Sequence, residues 1–193
     1  MPKLGISKQR PSKELASLAI PIDMNAWGSS SEKALATWGA GPCLNVVIHR
    51  GSSGVLAHVG QYSTIKDIGY PEMIHRVELY HKVCFTVRDM LIHGLHYLKG
   101  FEIWLGAGGA FVPNSFYAKE NDSVLYDLPE YLKRFLVEVG CTDFKIYDCR
   151  KQVNSGDILY NPTTGTIYML SEQEDIFAIQ NESNKPAQSG KCY

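Results

Sequence analysis

Thr37, Cys43 and His58 carry the residue types from which nucleophilic catalysis is built. The stretch Thr37-Trp38-Gly39-Ala40-Gly41-Pro42-Cys43 runs into the β-branched segment LNVVIH, residues 44–49. Arg50-Gly51-Ser52-Ser53-Gly54 follows, then a second apolar run, VLAHV, which contains His58. A thiol beside an imidazole can ionise, because the imidazolium stabilises the thiolate, and in such settings a cysteine pKa near 8.5 falls to roughly 3.5–7.5. The thiolate can attack an acyl carbon while the histidine protonates the leaving group. The same histidine then acts as base for the water that hydrolyses the thioester. Gly39 and Gly41 let a backbone approach a substrate closely and present N–H groups, as an oxyanion hole needs, and Trp38 stands beside them as a pocket wall. The Thr37 hydroxyl can orient the imidazole. A small buried cysteine and a hydrogen-bonded strand histidine would produce the same letters without chemistry.

Spacing decides whether the thiol and imidazole can meet. The two apolar runs read as a β-hairpin, in which side chains alternate with period two. A two-residue loop at Arg50-Gly51 would set Cys43 directly opposite His58, and one at Gly51-Ser52 would set them one diagonal apart. A three-residue loop would put them on opposite faces. Opposed Cβ atoms lie roughly 4.5–5.5 Å apart and diagonal neighbours about 7–8 Å. Both even loops therefore allow contact, with sulfur and nitrogen expected within about 4 Å.

The elements around this hairpin follow from periodicity and punctuation. Pro71-Glu72 opens a segment in which Ile74, Val77, Tyr80, Val83, Val87, Leu91 and Leu95 recur every three to four residues, predicting a helix buried along one face and ended by Gly94 or Gly100. FEIWLGAGGAF reads as a strand running into a glycine cluster, and 123–139 as a second helix closed by Gly140. FKIYDC gives a strand, and DILYNPTTGTIYML a hairpin with its turn at Asn161-Pro162-Thr163-Thr164-Gly165. Residues 1–14 read as a flexible tail, Gly28-Ser29-Ser30-Ser31 as a flexible junction, and 181–193 as a disordered tail. Between the tails, 15–175 form one domain. Strands and helices do not alternate regularly, so the expected class is α+β, with mostly antiparallel β layers and two main helices.

Composition narrows the function. The 193 residues carry 19 Lys plus Arg against 20 Asp plus Glu, a formal net charge of -1, which offers no excess for a nucleic-acid backbone or an anionic membrane. No apolar run approaches the roughly 18 residues that span a bilayer, and no targeting segment is expected. Five cysteines without a CxxC pair suggest neither a disulfide framework nor a zinc ribbon. His93 and His96 are three apart on the expected helix with His75, His81 and Cys84 upstream, so a metal site can be imagined, but His75 and His81 are six apart and do not share a face, and no metal is expected.

The string TWGAGPCLNVVIH followed by GSSGVLAHV resembles the active-site region of the chemotaxis receptor glutamine deamidases called CheD, in which a Thr-x-Gly-x-Gly-x-Cys stretch leads into a strand and a histidine lies on the next. The resemblance runs in order over roughly residues 20–171. Residues 20–27 are similar to the family's lead-in strand, FEIWLGAGGAF to its strand with a glycine-rich turn, and SVLYDLPEYLKRFLVEVGCTDFKIYD to its helix and following strand. GDILYNPTTGTIYML resembles its closing Asx-Pro-x-x-Gly hairpin. What this implies is hydrolysis of glutamine side-chain amides in a protein substrate to glutamate, without a cofactor. Cys43 would be the nucleophile, His58 the general acid/base and Thr37 the third member, with Gly39, Gly41 and Trp38 around the substrate. Deamidase toxins such as the cytotoxic necrotizing factors share the thiol–histidine core. The implied setting is thus a bacterial cytoplasm with chemoreceptors as substrates, or, for a secreted effector, a host cytosol. A regulatory protein partner, and an inert interaction module on the same fold, belong to the same set of readings. Pro42 departs from the family's usual Ser or Gly at that position and has no N–H to give to an oxyanion hole.

Overall fold

A computed structural model describes residues 3–38, 43–60, 62–63, 72–73, 76–107, 127–150 and 157–170. The hairpin anticipated from sequence forms the centre of the fold. Strand β5 (Leu44–Arg50) pairs antiparallel with β6 (Ser53–Val59), closing at Arg50↔Ser53 through the two-residue loop Gly51-Ser52. Gly51 has φ +66°, as the first central position of a type II′ turn requires. Around this hairpin lies a five-stranded sheet in the order β10-β9-β5-β6-β3, with β3 at Ala26–Ser30, β9 at Lys99–Ala107 and β10 at Thr142–Asp148. A second five-stranded sheet has the order β1-β12-β11-β4-β2, built from Gly5–Ser7, Thr166–Leu170, Asp157–Asn161, Leu35–Thr37 and Ile20–Pro21. A two-stranded ribbon joins β7 (Tyr62–Ser63) to β8 (Glu72–Met73). The domain is α+β. Among the described residues six of the nine strand pairs are antiparallel, while β1–β12, β9–β10 and β2–β4 run parallel.

The alternation of β5 and β6 sorts their side chains between two interiors. Leu44, Val46, Ile48, Val55, Ala57 and Val59 pack against the helices, namely α2 (Arg76–Asp89), the π-helical turn Met90–Leu95 that continues it, and α3 (Leu128–Glu138). The helix periodicity read from sequence is seen in the burial of Tyr80, Val83, Val87, Leu91 and Leu95. Helix α3 contributes Leu128, Leu132 and Leu136 at strict four-residue spacing and begins with Pro129 in its first turn. Val47 and Leu56 point the other way, meeting Leu35, Ile158, Tyr160 and Ile167 of the second sheet. On that sheet's outer face lies α1 (Lys13–Ser17), whose Ser12 cap accepts from the Leu15 N–H at 3.1 Å.

Three sequence expectations change. Glu72, read as part of the opening of the long helix, lies in β8 with Met73, and the helix begins at Arg76. Gly28-Ser29-Ser30, read as a flexible junction, is part of strand β3 and pairs with Gly54–Leu56. Within the expected tail 1–14, Gly5–Ser7 pair with Thr166–Tyr168, and the Leu4 N–H donates to Glu102 Oε2 at 2.8 Å. Local composition could not show either of these last two, because a polar edge strand is recruited by the backbone of its neighbour rather than by its own apolar content. The C-terminal tail 181–193 lies outside the described residues, as do Gly108, Gly109 and the start of the helical pattern at Ser123.

Candidate functional site

His58 is placed by the alternation of β6 on the face toward the second sheet, where it is 3% exposed. Thr37, the last residue of β4, is fully buried opposite it, and Thr37 Oγ1 lies 2.8 Å from His58 Nδ1. The bond therefore crosses between the two sheets. Cys43, just before β5, is 2% exposed. Since Asn45 pairs with His58, Cys43 sits two residues along on the same face, one diagonal away. This is the diagonal register expected of a Gly51-Ser52 loop, while the expected hydrogen-bonding contact of the sulfur with the imidazole is not made at Nε2. Trp38 is half-buried beside Thr37. Gly39, Gly41 and Pro42 lie outside the described residues.

The two imidazole nitrogens have different surroundings. Nδ1 is engaged by Thr37, whereas Nε2 is buried with no hydrogen-bond partner among the described residues. If Nδ1–H donates to the Thr37 oxygen, Nε2 is the basic nitrogen. Burial drives the His58 pKa down to about 4, outweighing the nearby Asp23 carboxylate, which favours the charged ring, while the Lys82 ammonium adds to the lowering. His58 is thus neutral near pH 7 and poised to accept a proton. The sequence reading, which began from an imidazolium, is corrected on this point.

Sequence reasoning missed two residues at this end of the hairpin. Asn25, between β2 and β3, holds φ 63°, a left-handed conformation asparagine tolerates, and its N–H donates to the His58 carbonyl at 2.7 Å. Its Oδ1 accepts from the Gly60 N–H at 3.0 Å and from Lys82 Nζ at 2.6 Å. Lys82, half-buried on α2, also donates to the Gly60 carbonyl at 2.8 Å. Burial lowers the Lys82 pKa, and the neighbouring Cys43 acts to raise it. The one signal in the sequence was the position of Lys82 beside Val83 at the edge of the buried stripe of its helix.

Two other thiols, Cys84 and Cys141, are buried. Burial pushes the Cys84 pKa up to about 12, and raises that of Cys141. Both face apolar surroundings beneath the helices. Among the described residues there is no cluster of three or more His, Cys, Asp or Glu side chains arranged to hold a metal ion. No helix in those residues is long and apolar enough to cross a membrane.

No protein-family model matches the chain, and no curated protein matches it. The resemblance to the receptor deamidases therefore rests on the motif residues themselves.

Proposed function

We propose that this protein is a cysteine-dependent protein glutamine deamidase, with Cys43 as nucleophile, His58 as general acid/base and Thr37 as the residue that orients the ring. The observation that carries the reading is the 2.8 Å bond between Thr37 Oγ1 and His58 Nδ1, made while Cys43 occupies the same strand face as His58. Thr37 and His58 meet in a buried bond across the two sheets, and Cys43 lies one diagonal from His58 on the same strand face.

In the proposed reaction the Cys43 proton passes to His58 Nε2 and the sulfur attacks the side-chain amide carbon of a substrate glutamine. A carbon–sulfur bond forms, and the carbonyl electrons move onto oxygen. Collapse of this intermediate breaks the carbon–nitrogen bond. The leaving nitrogen takes the proton from His58 and departs as ammonia. Water then attacks the thioester, giving one proton to His58, and the product glutamate leaves as the sulfur recovers a proton. No redox partner or cofactor enters this balance. The motif resemblance makes the substrate a protein. Chemoreceptors are the first candidates from the motif resemblance, with a host protein as the counterpart for an effector.

The test is incubation with glutamine-containing chemoreceptor fragments, followed by mass spectrometry for conversion of amide to acid. Conversion by the wild type and not by Cys43→Ala is expected. Absence of conversion in every fragment, with a Cys43 no more reactive toward iodoacetamide than Cys149, would overturn the proposal.

A further inference from the structure

We propose that the Lys82 ammonium is the fixed positive charge that holds the Cys43 sulfur as a thiolate when His58 takes its proton. This rests on the proposed function, and supplies the electrostatic group that the motif residues lack. Thr37 is neutral and can orient the imidazole, but it cannot compensate charge on sulfur.

The geometry comes from the hairpin register. Leu44 pairs with Val59 at the end of the ladder, and Cys43 and Gly60 are the residues that flank that pair on the two chains. Lys82 Nζ is bonded to the Gly60 carbonyl at 2.8 Å and to Asn25 Oδ1 at 2.6 Å. Helix α2 thus delivers its ammonium to the strand end that faces Cys43, and two acceptors fix it there. Asn25 is itself fixed, by its backbone bond to His58 and its side-chain bond from Gly60. Among the described residues two of the three ammonium protons have named acceptors, which leaves a donor for sulfur or for a developing oxyanion.

The surrounding charges favour ionised sulfur and act on the imidazole in both directions. Groups acting on the Cys43–His58 pair come from two elements: Lys82 from α2 and Asp23 from the segment before β3. Cys43 favours the charged form of Lys82, so by reciprocity Lys82 favours charged Cys43. Asp23 favours protonated His58. Lys82 thus favours the thiolate, and Asp23 outweighs the opposition that Lys82 itself offers to protonated His58. Lys82 remains half-exposed, so solvent weakens this field without abolishing it.

Thiolate absorbance in the ultraviolet, taken as wild type minus Cys43→Ser across pH, reads the state of the sulfur without any substrate. The result is therefore independent of whether glutamine is the target. Lys82→Met should lower the thiolate-to-thiol ratio of Cys43 by about tenfold at a given pH near the midpoint, and Lys82→Arg should stay within about threefold of wild type. Lys82→Gln keeps a donor for Gly60 without the charge. It should behave as Lys82→Met, which covers the case in which the methionine variant fails to fold. An unchanged Cys43 titration in Lys82→Gln, with or without a loss of thermal stability, would overturn the proposal and make Lys82 a tie between α2 and the sheet.

Discussion

The Tyr160 hydroxyl lies 2.7 Å from His49 Nδ1, joining β11 of one sheet to β5 of the other. The bond from Thr37 to His58 joins β4 to β6 in the same way. Two buried histidines thus connect the sheets at different points of the central hairpin. Such paired polar groups orient the layers, because each would leave a desolvated donor or acceptor if the sheets slipped.

The approach of Tyr160 depends on Gly54, where a Cβ would fall on the tyrosine hydroxyl. Tyr160 is fully buried and has no room to retreat. Gly54→Ala should therefore destabilise the protein by about 2 kcal/mol or more, read as a lower denaturation midpoint. An unchanged midpoint would show that the interlayer region is looser than its packing implies.

Thr37→Val keeps the shape of the side chain and removes the hydroxyl that faces Nδ1. In the proposed reaction it should slow turnover by roughly 10- to 100-fold, on the order of 1.4–2.7 kcal/mol of transition-state stabilisation, whereas Cys43→Ala abolishes it. Unchanged turnover would leave a dyad. A variant as inactive as Cys43→Ala would show that the ring cannot be held by packing alone.

The titration of His58 should be visible in stability. Its folded pKa, about 4, is below the ordinary 6.5, so folding disfavours the charged ring. The stabilisation associated with neutral His58 is complete above pH 6.5 and is lost as pH falls toward 4, up to about 3 kcal/mol in all. Unfolding free energies across this interval should decline, and a His58→Gln variant should show a shallower decline. A nuclear magnetic resonance titration of the ring with a midpoint near 6.5 would contradict the buried geometry.

Removing residues 1–8 should lower the melting temperature by roughly 3–6 °C, corresponding to about 1–2 kcal/mol. The deletion exposes the edge of β12 and removes the Leu4 bond to Glu102. A shorter deletion ending at Lys3 should cost less, and equal losses from both would assign the effect elsewhere.

The sequence determined the local elements and the identity of the candidate dyad. LNVVIH and VLAHV could form little other than a hairpin, since β-branched residues favour strands and Gly51 accepts the positive φ of a tight turn. Parity then left Cys43 and His58 on one face for any loop of even length, and the observed loop of Gly51-Ser52 chose the diagonal arrangement. The buried stripe of α2 was equally legible, because helical period is a local property of side-chain order. Tertiary structure decided which layer each face meets. Thr37 reaches His58 only because β4 pairs with β11 in the second sheet and that sheet covers β6. It also recruited Gly5–Ser7 and Gly28–Ser30 into strands, against their polar composition. Asn25 and Lys82 stand far apart in sequence and meet at Gly60, a contact no local pattern encodes, because it depends on where a helix lies across a sheet rather than on the order of residues along either. The charge state of His58 belongs to the same class. A histidine is written alike at the surface and in a core, and burial between two sheets is what moves its proton.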